Sequence, residues 1–434
     1  MKQAIFLIIS LLLVFSAKAQ KIRVLPYEPG EGLQIDAGSQ YKLELSGMIQ
    51  PMSETRIYPQ TEGRKSYTRF RMRRLITRLR GSAAQERIRY QVQVDLTGSS
   101  DGGADASTNN YLMDAWISWR PVRGTEITFG QENSPTDSRE LGMLSSGLQM
   151  AERSVVSTAF SSIREFGIFA RSQWDLGRQS RLVPYLALTN GDGANVTNPD
   201  HGGLKIGGRL DFLPFGAFTN GGQFTQHDLD REPTPKLVVG AHYSYNSGIS
   251  DRRGRQSGSI LYLDSAGKET LPDYKKFGVD FLFKYRGFSA YGEYISADAS
   301  VPAGTAFRVR TDGSTSPSFL VNNVQDIPGY VKGRIIVGAG LNLQAGYLFR
   351  SGFSVDGRYS KLMPQSQSFL RNGAFYNRSA YYTLCFSQYL SRNYGAKVQA
   401  AFSYAKAEAG SETVGGQPQT GNEFSAIFML TLAL

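Results

Sequence analysis

The densest charge cluster in this chain is a group of six arginines within twelve residues, namely Arg69, Arg71, Arg73, Arg74, Arg78 and Arg80. Arginine stays protonated at any physiological pH, and its planar guanidinium donates two parallel hydrogen bonds to a carboxylate or a phosphate. Rings of such residues set anion preference where they line a water-filled passage. Anion binding is therefore the chemistry that this cluster could perform.

The conformation of the segment decides where these charges point. On a β-strand, Arg69, Arg71 and Arg73 share one face and form a row of cationic sites. Arg74 and Arg78 break the two-residue alternation, so the strand prediction needs a β-bulge or places these two near an interface. The apolar residues between them also fit helical spacing, which leaves a basic amphipathic helix as the alternative. Strict strand patterns on both sides of the segment favour the strand.

Stretches of about ten residues that alternate apolar and polar recur along the chain, most clearly at 88–96. A tilted strand of that length crosses a bilayer. Because backbone groups in lipid must be paired within the protein, strands can span only as a closed barrel. The pattern predicts an all-β fold, a transmembrane antiparallel β-barrel of about 16 strands. The predicted strands lie near 41–50, 67–80, 86–97, 110–120, 124–132, 162–174, 181–190, 204–213, 236–246, 274–285, 286–296, 336–349, 353–363, 376–389, 394–405 and 421–434.

The connectors alternate between long and short, as the two ends of such barrels require. One exception is 214–235, which falls on the short-turn side yet is long; a missed pair of strands there would give eighteen. The long third loop, 133–161, is predicted to fold into the barrel, with a surface loop as the alternative. Its candidates for a constriction are Arg139, Glu140, Glu152 and Arg153.

The ends of the chain and its composition agree with an exported barrel. Residues 1–19 have a basic start, an apolar core and a small-x-small cleavage site, which predicts a secretory signal peptide. We expect a periplasmic segment at 20–40, the barrel at 41–434, and residence in the outer membrane of a Gram-negative cell. The single cysteine excludes an intrachain disulfide and a cysteine-based zinc site. The formal net charge of +11 suits small anions better than nucleic acid, which an exported chain seldom meets.

Several short pieces, taken in order, resemble the phosphate-selective porin O/P family of outer-membrane barrels. These pieces are Phe70–Leu75 before Arg80-Gly81, Tyr111–Trp119, Phe129–Gln131, Ala151–Ser154, Arg164 with Gly167, and Leu213–Gly216. The resemblance implies a 16-stranded trimeric porin with an inward third loop and an arginine-lined route for anions. Arg71, Arg73 and Arg74 match the arginine-rich second strand of the family, and Arg153 matches its loop arginine.

The chain departs from the family pattern after Gly130-Gln131. Where the family often has Lys with a Pro-Phe pair, this chain has Glu132-Asn133-Ser134. An acid at this position disfavours phosphate itself, so the family name does not assign the solute.

These observations predict a porin for passive diffusion of small, preferentially anionic solutes, such as phosphate-like anions. The candidate pore-lining residues are Arg69, Arg71, Arg73, Arg74, Arg89, Arg139, Arg153 and Arg164. The expected partners are outer-membrane lipid, small anions, two further copies in a homotrimer and the barrel-assembly machinery, with no cofactor and no nucleic acid. The alternative is a non-conducting barrel that serves as a structural or secretion-system partner.

An enzyme is not expected. The chain has three histidines, His201, His227 and His242, and no Gly-x-Ser-x-Gly elbow to present a nucleophile. A metal site is not expected either, because metal-ligating side chains are few.

Overall fold

The computed structural model describes residues 22–38, 40–97, 111–161, 164–177, 179–194, 201–251 and 260–434. The predicted signal peptide lies outside the described residues. Sixteen strands form the wall of a barrel and are numbered here in chain order. They are β1 Tyr41–Ile57, β2 Ser66–Ala83, β3 Ile88–Asp95, β4 Leu112–Trp119, β5 Thr125–Glu132, β6 Glu165–Ser172, β7 Arg181–Thr189, β8 Lys205–Leu213, β9 Lys236–Asn246, β10 Asp273–Tyr285, β11 Phe288–Ser300, β12 Gly338–Leu348, β13 Phe353–Pro364, β14 Arg378–Tyr389, β15 Ala396–Ala407 and β16 Glu423–Ala433.

The barrel is closed and antiparallel throughout. Each wall strand pairs with the next one along the chain, and β16 pairs with β1 from Phe424↔Ile57 to Ala433↔Met48. The predicted strands are confirmed, and the eighteen-stranded alternative is wrong. The largest differences in boundaries are in the first two strands, because β1 and β2 are 17 and 18 residues long. The first loop therefore covers only residues 58–65 instead of the predicted 51–66.

The two faces of the wall differ in polarity, because one meets lipid and the other meets water. Large apolar side chains alternate along the outer face and are exposed there; Ile117, Phe129 and Phe402 are more than half exposed. Among the described residues, no helix has the length and apolar character needed to cross a membrane.

Shorter elements lie outside the wall. An N-terminal hairpin, Ile22–Val24 with Leu33–Ala37, continues the sheet by pairing with residues 41–45 of β1. The remaining short strands are Trp174–Asp175, Tyr262–Leu263, Phe307–Val309, Thr315–Ser316, Leu320–Val321 and Val324–Gln325. Within the described residues, the helices are α1 Val155–Phe160 and α2 Ile327–Lys332, with 3₁₀ turns at Arg139–Gly142, Ser145–Gly147, Thr219–Phe224 and Phe369–Arg371.

The third loop folds into the lumen, as predicted, and apolar contacts hold it there. Val156 and Phe160 of α1 are fully buried in a cluster with residues of the loops at the long-loop end. Leu148 packs in a second cluster against lumenal residues of β7–β11. Met150 packs in a third cluster with Cys385. Burial of this apolar surface offsets the entropy lost when a long loop is ordered.

The long connector 214–235 is a second segment inside the lumen. It enters from the short-turn end and contains a 3₁₀ turn, not a pair of strands. There it meets the inward loop: the Leu144 backbone N donates to Phe224 O at 3.1 Å, and the Gln149 backbone N donates to Gln226 Oε1 at 2.8 Å. The contacts with the inward loop account for the length of the connector, because a tight turn between β8 and β9 would need far fewer residues.

Candidate functional site

All six arginines of β2 point into the lumen, because a β-bulge resets the alternation of the strand. Gln50 of β1 pairs with Arg74, whereas its neighbour Pro51 pairs with Met72, so Arg73 is the extra residue. Before the bulge, the odd-numbered arginines face inward; after it, the even-numbered ones do. The basic amphipathic helix is therefore wrong. The predicted bulge is present.

The arginines at the start of β2 share two carboxylates. Glu54 of β1 accepts from Arg69 at 2.7 Å and from Arg71 at 3.4 Å. Glu152 of the inward loop pairs with both Arg73 and Arg74, whose side chains are only 4% and 1% exposed. Arg74 and Arg73 therefore attach the loop to the wall, while Arg69 and Arg71 remain partly accessible.

The arginines near the other end of β2 are less fully paired. Arg78 lies 3.2 Å from Glu44, and Arg89 of β3 lies 3.4 Å from Glu126. Arg80 has no ion pair within the described part of the chain, and its Nε is buried without a hydrogen bond. Burial of a polar group without a partner is costly, and this guanidinium keeps one unsatisfied donor, Nε, at the lumenal face.

Two adjoining cavities follow these arginines. A rim cavity of about 750 Å³ opens at the short-turn end. A smaller mid-lumen cavity of about 200 Å³ reaches the start of the inward loop at Asn133 and Pro135. The two share Glu126 and Arg171. Their charged lining is six arginines and three glutamates, namely Arg80, Arg87, Arg89, Arg120, Arg123, Arg171, Glu86, Glu126 and Glu132.

Arg139 of the inward loop is held by two carboxylates of the wall. Its guanidinium lies 2.7 Å from Asp211 of β8 and 2.5 Å from Asp280 of β10. Burial disfavours its charge, but the two aspartates outweigh this and raise the pKa of Arg139. Gly240 of β9 leaves room for the cluster, since an added Cβ would lie 2.7 Å from Arg139 Nη2. Arg139 is thus an anchor of the loop inside the lumen.

Arg153 and Arg164 are also held by local partners. Arg153 donates to Glu140 O and, at 3.1 Å, to Met143 O, both within the inward loop. Arg164 lies 2.6 Å from Asp114 of β4. The structure therefore brings Arg69, Arg71, Arg73, Arg74 and Arg89 to the lumenal wall and Arg139, Arg153 and Arg164 to the inward loop and its ends. Their roles in anion binding stay predictions.

Opposite the arginines, the lumenal faces of β8–β15 are covered by the inward loop and the connector; we call this the closed side. His227 of the connector lies 2.8 Å from Tyr389 Oη and 3.0 Å from Asp356 Oδ2. Lys284 donates to His227 O at 2.6 Å. Burial lowers the pKa of His227, although Asp356 opposes that change. These contacts fix the connector against the wall inside the lumen.

The three histidines contact different partners. His201 lies 2.9 Å from Glu269 in the loops, and His242 is buried in β9. In the described part of the chain, no group of three or more His, Cys, Asp or Glu side chains could hold a metal ion.

The sequence did not indicate two parts of the site. Arg171 of β6 borders both cavities, and the alternation of 165–171 was the signal that could have placed it on the lumenal face. The buried connector carried a weaker signal, its length on the short-turn side. Nothing in its residues indicated the direction in which it folds.

Comparison with known proteins finds no matching family model and no matching curated protein. Solved structures do match. The anion-selective porin from Comamonas acidovorans is 10% identical, with a TM-score of 0.53 over 91% of this chain and 100% of that one. The outer-membrane channel DcaP of Acinetobacter baumannii is 11% identical, with a TM-score of 0.51 over 91% and 98%. OmpF of Salmonella typhi is 12% identical, with a TM-score of 0.50 over 92% and 100%.

At sequence identities this low, the similarity shows only that the fold is shared. The chain folds as a closed sixteen-stranded antiparallel barrel, the fold of these outer-membrane porins.

Proposed function

We propose that this protein is a porin for passive diffusion of small, preferentially anionic solutes, without energy coupling or catalysis. The observation that carries the proposal is the lining of the two cavities, where arginines outnumber glutamates two to one. Positive charge at a narrow, low-dielectric passage raises the local concentration of anions and repels cations. The preference is partial, since glutamates remain in the same lining.

The sequence resemblance to the phosphate-selective porin O/P family supports the same proposal. It rests on the arginine-rich second strand, which here presents Arg71, Arg73 and Arg74 to the lumen through its bulge. A porin of similar fold, from Comamonas acidovorans, is described as anion-selective. A homotrimer is part of the proposal, as the resemblance implies.

The test is ion selectivity in planar bilayers. Under a tenfold KCl gradient, the wild-type barrel should show a steady ohmic current and a reversal potential on the anion side, within the limit of about 59 mV for ideal selectivity. Replacing Arg80→Gln and Arg171→Gln together should move that potential toward cation preference. Both residues line the mid-lumen cavity, and neither has an ion pair within the described residues.

The matched control removes the same charge elsewhere. Arg310 and Arg371 are exposed in loops at the opposite, long-loop end, so Arg310→Gln with Arg371→Gln should leave the reversal potential near the wild-type value. An equal shift in both double variants would mean that net charge, and not the cavity, sets selectivity.

A non-conducting barrel is the second candidate, and the buried connector 214–235 favours it. Segments that fill a lumen from both ends are what a plugged barrel requires. Absence of steady current from correctly folded wild-type protein would establish this alternative and contradict the porin.

A further inference from the structure

The mid-lumen cavity combines arginines with aromatic side chains on the lumenal face. Trp116 of β4, Phe169 of β6 and Tyr185 of β7 all line it. Their chain neighbours Ile117, Ile168 and Leu186 are exposed on the lipid side, so the three rings point inward. A merely water-filled passage does not need rings there. Ligand sites, in contrast, typically join apolar walls to a few placed polar groups.

The charges of this cavity leave one formal positive charge. Arg80, Arg89 and Arg171 face Glu126 and Glu132. Glu126 is paired with Arg89 at 3.4 Å and with Arg120 at 3.5 Å. The Glu132 carboxyl has neither a hydrogen bond nor an ion pair within the described residues, and the same regions supply no ion pair to Arg171. Arginines outnumber glutamates in this lining, and the excess of positive charge favours an anionic group.

The cavity contains a cation–π contact and has room for a small ring. The Arg171 guanidinium lies 5.5 Å from the centre of the Tyr185 ring, within the range of a cation–π contact. Its volume is about 200 Å³, and a cavity of about 150 Å³ is enough for benzene.

We propose that the mid-lumen cavity binds organic monocarboxylates with a flat apolar body, in preference to inorganic phosphate. The carboxylate lies between Arg80 and Arg171, and the apolar body packs among Trp116, Phe169 and Tyr185. This inference rests on the proposed function and names its solute class. Phosphate has no apolar surface to place against the rings, so it gains nothing from the apolar part of the lining.

The experiment compares three probes, benzoate, acetate and inorganic phosphate, as blockers of the chloride current through the wild-type barrel. Benzoate should block saturably, with a half-blocking concentration about tenfold below that of phosphate, a difference of about 1.4 kcal/mol. Acetate carries the carboxylate without the ring, and should block more weakly than benzoate.

Two variants separate the ring contacts from the charge. Trp116→Leu with Tyr185→Leu should raise the half-blocking concentration of benzoate about tenfold, toward that of acetate, because stacking is lost while every charge remains. Arg80→Gln with Arg171→Gln should raise the half-blocking concentrations of benzoate and acetate alike, because the rings remain while the charge is lost. Arg310→Gln with Arg371→Gln, the control at the long-loop end, should leave all three probes unchanged.

Fluorescence provides a readout that does not depend on current. Benzoate added to detergent-solubilised barrel should change the emission of Trp116, and the change should be absent in Trp116→Leu. The other two tryptophans, Trp119 and Trp174, are exposed outside the lumen.

The inference would be overturned if phosphate or acetate blocked the current at concentrations as low as benzoate does. It would also be overturned if the leucine variant bound benzoate as tightly as the wild type does. If the barrel conducts with anion preference but lacks the benzoate preference, the proposed function stands and only the solute class fails. If it carries no current yet benzoate still alters Trp116 emission, the binding site stands and the porin fails.

Discussion

The closed side and the arginine side of the lumen both carry many charged groups, but they hold them differently. On the closed side, several charges are buried in ion pairs: Arg139 and Arg209 share Asp211 and Asp280. On the arginine side, formed by β2–β7, Arg80 borders a cavity with no ion pair among the described residues. Paired, dry charges fix the inward segments, whereas partly free charges next to water can meet a solute.

The largest effect is expected when one carboxylate is removed from the closed side. Asp280→Ala would leave Arg139 and Arg209 buried with one carboxylate between them. Losing one partner of a buried ion pair costs about 3–5 kcal/mol, so the urea midpoint of the folded barrel in detergent micelles should fall sharply. The exposed pair Arg181–Asp175 offers the control, with Asp175 72% exposed. Asp175→Asn should cost about 0–1 kcal/mol. Equal effects in the two variants would show that the closed side is not held by its charges.

The next test opens the closed side without touching the wall. Replacing residues 219–228 by a short Gly-Ser turn removes the 3₁₀ turn and His227 from the lumen. Lys284, Asp356 and Tyr389 would then face water, and single-channel conductance should rise several-fold as a second route opens. Reversal potential should move toward zero, since the new route lacks the excess of arginine. Unchanged conductance would mean that the inward loop alone closes this side.

The smallest expected effect is a pH dependence of connector docking. Because burial lowers the pKa of His227, the docked histidine binds fewer protons than the released one. Docking is then at full strength above the ordinary value of about 6.5 and weakens as the pH falls below it. Asp356, Tyr389, Lys284 and Lys397 surround this ring and modulate the size of the effect.

The measurement is conductance from about pH 7.5 down to about pH 5, the range in which histidine titrates. Wild-type conductance should increase modestly toward acid, and His227→Gln should flatten that part of the curve. If the wild-type conductance does not increase toward acidic pH, docking of the connector does not depend on protonation of His227.

Much of the fold could be predicted from the sequence, because lipid on one side and water on the other impose a period of two that is local. All sixteen strands follow from that period. The need for a bulge in β2 also follows, since Arg74 and Arg78 break the same period. The inward course of 133–161 was one of two open alternatives, because its length allows either course.

What only the tertiary structure decided is which charges are neutralised. Arg73 meets Glu152 across 79 residues of sequence, and His227 meets Asp356 across 129. The six arginines of β2 look alike in the sequence, yet Arg74 is sealed under the inward loop and Arg80 borders an open cavity. The alternation of side chains determines which face a residue occupies. The partner opposite that face depends on how distant loops fold into the lumen, and no local pattern encodes that.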